Sequence, residues 1–264
     1  MKSSDTTRVS FLESVKNYLV IDSLSYSNTG LSGKAGVALA LFELSENDAV
    51  LGDYAFEFFQ ESLAFVNNNF CYKGTIGIGI ILNYLIDNEF IDADFGELFG
   101  DSHGQIVKQV LSKTYPEGNV CDLLLYFLLS NEITDSNEEC INALLSCLRD
   151  IITCPDKDYI RKKWQFIATH YISDTGICRF IQDTGIDFKS QFSDGLNCGN
   201  GLTGRVNALF NAMSTHSETE EIIEAILQMK LNFKEPDLNL ALSRLLILLS
   251  NPAGIPSKLL FFFY

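Results

Sequence analysis

One repeated pattern constrains this chain more than any other feature. A glycine-containing turn leads into a segment that is apolar nearly all round, and a loop then leads into a segment apolar on one side only. In the first instance, residues 30–44 (GLSGKAGVALALFEL), Val37, Leu39, Leu41, Phe42 and Leu44 cover most of a helix surface. Such a helix must be enclosed on every side. In residues 53–67, Ala55, Phe59, Leu63 and Val66 form one stripe, with Glu57, Gln60 and Glu61 facing away.

The second instance, residues 74–94 (GTIGIGIILNYLIDNEFIDAD), carries Ile78, Ile80, Ile81, Leu82 and Leu85. Its partner shows the stripe Ile106, Val107, Val110 and Leu111. The third is GNVCDLLLYFLLS, residues 118–130, followed by residues 137–152 with Ile141, Leu144, Leu145, Leu148 and Ile152 inward. Residues 153–194 are less regular. Pro155 and DKDYIRKK predict a loop and a new helix start. Trp164, Ile167, Ala168 and Tyr171 share a helical stripe, and residues 176–194 read as a loop or short strands.

The pattern returns in NCGNGLTGRVNALFNAM, residues 197–213, whose partner has Ile222, Ile223, Ile226 and Leu227 behind an acidic start. Residues 238–250 (LNLALSRLLILLS) form a last apolar helix, ended by Asn251 and Pro252. The tail KLLFFFY is too apolar to stand exposed and is expected to pack inward. Entry points near Gly33, Gly77, Asn119, Trp164, Gly201 and Asn239 recur at roughly 40 residues, the period of a helical-hairpin repeat. An open solenoid and a closed α/α toroid both fit this period. Inner helices apolar all round favour the closed ring, because a solenoid's concave helices face solvent. With no linker-like stretch, a single domain over 1–264 is expected.

A formal net charge of -15 argues against nucleic acid, whose phosphates call for a Lys/Arg excess. The seven cysteines, Cys71, Cys121, Cys140, Cys147, Cys154, Cys178 and Cys198, are odd in number and form no CxxC pair. The N-terminus lacks a signal-peptide apolar core, and no apolar run reaches membrane-spanning length. Together these predict a cytoplasmic protein with free thiols and no membrane span.

The segments GLSGKAGVALALFEL and GTIGIGIILNYLIDNEFIDAD resemble the glycine-rich inner-helix motifs of lanthionine synthetase C-like proteins. NCGNGLTGRVNALF is similar to a later turn of that family, and LSRLLILLSNPAGIPSKLLFFFY to its final helix and apolar end. The resemblance covers about a third of the chain, between Gly30 and Tyr264. It implies an all-α fold, an α/α toroid built as a double-layered ring of helical hairpins. It also implies modification of a ribosomally made precursor peptide. In the family's cyclases, zinc on cysteines and a histidine activates a peptide thiol, which adds to a dehydroamino acid to form a thioether.

The chain departs from that pattern at the metal. No Trp-Cys-x-Gly, Cys-His-Gly or Ala-His-Gly turn is present, and Asn197 stands at the family's first cysteine position in NCGNG. Cys198 matches the second ligand, at a helix start that would lower a thiol's pKa. Cys154 and Cys178 complete a three-thiolate zinc site only if folding gathers them. Against each stands the reading of a structural thiol, and Cys121 reads as core.

His170, one turn after Phe166, is the candidate catalytic base or ligand, against a hydrogen-bonded structural histidine. His103 and His216 read as surface residues. Lys34 and Arg205 each follow a motif glycine and are candidates for binding peptide carboxylates in a central cavity; otherwise they snorkel to solvent. Asp122, beside a buried helix start, is a cavity candidate or a network residue. Two function classes follow: a cyclase-like protein or its peptide-binding relative, and a non-catalytic scaffold for a peptide-modifying enzyme. A glycan-active toroid would need paired carboxylates, and the spacing of Asp122 and Asp194 gives it no support.

Overall fold

The computed structural model describes residues 2–25, 30–45, 48–66, 72–130, 135–152, 154–170, 202–214, 219–229, 238–251, 255 and 257–263. Among them every regular element is helical. In chain order these are α1 (Lys2–Ser25), α2 (Lys34–Leu44), α3 (Ala49–Val66), α4 (Tyr72–Asp87), α5 (Phe95–Leu111), α6 (Val120–Leu129), α7 (Asp135–Ile152), α8 (Asp158–His170), α9 (Leu202–Ser214), α10 (Glu220–Leu227) and α11 (Leu238–Ser250). Short 3₁₀ turns precede α6 and α8, and a longer one, Ser257–Phe263, follows α11.

The chain gathers into two compact units where the sequence suggests one domain. Unit 1 is Met1–Asn68 with Leu196–Phe263, and unit 2 is Asn69–Gly195. The division leaves no composition signal, because unit 1 is assembled from both ends of the chain and no Pro/Gly-rich linker marks its edge.

In unit 1, every residue of α2 from Lys34 to Phe42 is buried. So is almost all of α11, from Leu238 to Leu249. These two helices pack on each other, α3 packs on α2, and α9 packs on α11 and α10. On α3 the buried residues are Leu51, Ala55, Phe58, Phe59, Ser62 and Val66, one face only. The tail packs inward as its composition demands, with Leu259, Phe261, Phe262 and Phe263 buried. Arg244 Nε donates to the Phe262 carbonyl at 2.6 Å, tying the tail to α11. A Cβ on Gly36 would collide with the Leu31 carbonyl oxygen, so only glycine lets the entry turn fold back on α2. Among the described side chains of α1, Val15, Leu19 and Ser23 form a narrow buried line, which explains why the repeat pattern does not reveal this helix.

In unit 2, residues 75–85 of α4 are all buried, as are Val120, Cys121 and Leu123 to Phe127 of α6. The third enclosed stretch is Trp164–Ala168 of α8, although Tyr171, the last member of its expected stripe, lies outside the described residues. The helices α5 and α7 bury one face each. The enclosed row packs α4 on α6 and α6 on α8, while α5 packs on α7 behind it. Within residues 74–94 the apolar helix ends at Asp87. The Phe90 N–H bonds to the Leu85 carbonyl and the Glu89 N–H to the Ile86 carbonyl, closing α4 with Glu89 at φ 59. Asp94 then caps α5, its Oδ1 accepting from the Glu97 N–H at 2.8 Å. Consequently α5 buries Phe99, Ser102, Ile106 and Val110, and Leu111 is exposed.

Candidate functional site

The start of α6 lies beside the start of α8. A Cβ on Gly118 would meet the Tyr159 hydroxyl at 2.9 Å. One turn further, Asp122 forms an ion pair with Lys163, and the Cys121 thiol donates to the Ile160 carbonyl at 3.7 Å. An advance along α6 is matched by an advance along α8, so the two helices run parallel. Their positive ends point the same way. Lys157 and Glu117 join the two preceding turns at 2.9 Å. Asp122 is therefore half-buried in a charge pair with Lys163, a partner that sequence spacing alone did not suggest.

Cys154 sits at the same end. It is exposed, and its thiol donates to the Asp150 carbonyl at 3.5 Å. His170 closes the opposite end of α8. Thirteen residues at 1.5 Å each separate the two ends by about 20 Å, whereas donors on one zinc lie within about 4 Å of each other. Cys154 and His170 thus do not fit one metal site. Cys178 and Cys198, like His216, Asp194 and the segment 176–194, lie outside the described residues. Among the described residues no group of three His, Cys, Asp or Glu side chains could hold a metal ion.

His170 is half-buried against Phe166, ring centroids 4.2 Å apart. Its Nδ1 lies 2.9 Å from the Phe166 carbonyl, so Nδ1 carries the proton and Nε2 is the basic nitrogen. Burial lowers its pKa, partly opposed by that hydrogen bond, which keeps the ring neutral near pH 7.

In unit 1, Lys34 does not snorkel. It is buried at the start of α2, paired with Glu61 of α3, its Nζ 5.8 Å from the Phe58 ring centroid. A cation at a helix's positive end is disfavoured, and Glu61 offsets that repulsion. Arg205 occupies the first turn of α9 and is half-buried.

The surface expectation for His103 is overturned. Its Nδ1 lies 2.7 Å from the hydroxyl of Tyr126, a wholly buried residue of α6. Phe95, Tyr126 and Phe127 surround the ring with centroids about 6 Å away. The signal was present as the spacing Phe95, Phe99, His103, Ile106, which puts His103 on the edge of the buried face of α5.

Two further polar side chains are shaped by burial. Burial pushes the Cys140 thiol up to about 11, helped by the Glu139 charge. Burial, then a hydrogen bond with Cys147, holds the Tyr115 hydroxyl above its ordinary value. What these sites offer chemically is one neutral histidine, one histidine–tyrosine pair and several satisfied ion pairs. No family model, curated protein or solved structure matches this chain.

Proposed function

We propose that this chain is a lanthionine synthetase C-like α/α toroid that binds a ribosomally made precursor peptide during its modification. One observation carries the reading: α6 and the Trp164–Ala168 half of α8 are enclosed, glycine or proline precedes each helix, and the two run parallel with the one-sided α7 returning the chain between them. A ring of helical hairpins needs that arrangement, since each outer helix carries the chain back to the end where the next inner helix starts. The alternation of enclosed and one-sided helices in both units supports it, and closure of the ring is part of the proposal. The glycine-rich entries to α2 and α4 are the segments that resemble the family.

Peptide binding is preferred to cyclisation because Asn197 replaces a family ligand and because Cys154 and His170 are held apart. The test uses a synthetic peptide with one cysteine and one dehydroalanine. Addition of the thiolate sulfur to the dehydroalanine β-carbon, with a proton taken up at the α-carbon, leaves the mass unchanged, so maleimide labelling reads thiol loss. Binding by fluorescence anisotropy with the thiol intact is the expected result. Thiol loss, together with about one zinc per chain that disappears in Cys198→Ala, would replace the reading with an active cyclase. No binding to this peptide or to cysteine-containing leader-fused peptides would overturn it in favour of a scaffold for a modifying enzyme.

A further inference from the structure

No further inference is drawn: the strongest candidate, the solvent face of α3 where Phe56 and Phe65 stand exposed beside the carboxylate row Asp53, Glu57 and Glu61, sets its two rings on opposite shoulders of the helix, and nothing in the structure shows what covers them.

Discussion

Replacing Gly79 with alanine tests the packing of α4, α5 and α6 at a single point. A Cβ there would lie 2.8 Å from Phe99 Cε1, 2.8 Å from Tyr126 Cε2 and 2.9 Å from Phe99 Cζ. Carbon atoms rest at about 3.5 Å or more, so both rings must retreat by about 0.7 Å. Neither can move into open space. Phe99 and Tyr126 are buried, and the Tyr126 hydroxyl is held by His103. Forcing a methyl into such a core costs about 1–3 kcal/mol, while alanine in place of a mid-helix glycine returns about 1 kcal/mol. Gly79→Ala should therefore lose about 1 kcal/mol net. Gly100 of α5 has nothing within 4 Å of its Cβ position, so Gly100→Ala should gain up to about 1 kcal/mol. The helix term is common to both variants, and their difference, about 2 kcal/mol, isolates the packing. Urea unfolding followed by tryptophan fluorescence is the assay. The chain has one tryptophan, Trp164, buried in the unit that holds both glycines. Equal midpoints for the two variants would refute the close approach at Gly79.

Other outcomes follow from the same geometry. A double-mutant cycle on His103→Leu and Tyr126→Phe should give a coupling near 1 kcal/mol, and zero coupling would show that the hydrogen bond contributes nothing. Burial depresses the His170 pKa, so the folded state binds fewer protons than the unfolded state. Its contribution is full above the ordinary value of 6.5 and is lost as pH falls through the lower folded value. His170→Gln should flatten the stability–pH curve between the folded value and 6.5, and a His170 NMR titration centred above 6.5 would contradict the assignment. With a thiol reagent at pH 8, Cys154 should react in the native protein while the buried Cys121 and Cys140 stay protected until unfolding. Labelling of Cys140 at the rate of Cys154 would show that α7 opens.

Much of the helical layout was legible because it rests on local periodicity. The all-round apolar runs identified α2, α4, α6 and α11 as enclosed, and one-sided stripes identified α3 and α7 as partners of α2 and α6. Boundaries were harder to read. The residue that ends α4 and the one that starts α5 depend on Glu89 adopting a positive φ and on Asp94 capping, which the polar run DNEFIDAD does not place by itself. The candidate site was read less well, for a physical reason. Residue type marks a side chain as chemically able, but partners distant in sequence decide what it does. Lys34 looks like a cavity cation until Glu61 meets it, 27 residues on. Asp122 looks like a helix-start acid until Lys163 meets it, 41 residues on. Cys154 and His170 look like two members of one centre until α8, which starts four residues after Cys154 and ends at His170, holds them apart.

The sequence by itself determined most of the helical segments after α1 and which of them must be enclosed, because burial on all sides is written in the order of apolar residues along 3.6-residue turns. Only the tertiary structure decided the parallel run of α6 and α8, the gathering of both chain ends into unit 1, and the pairing of His103 with Tyr126. Those features depend on contacts between residues far apart in the chain, whose alignment no local pattern encodes.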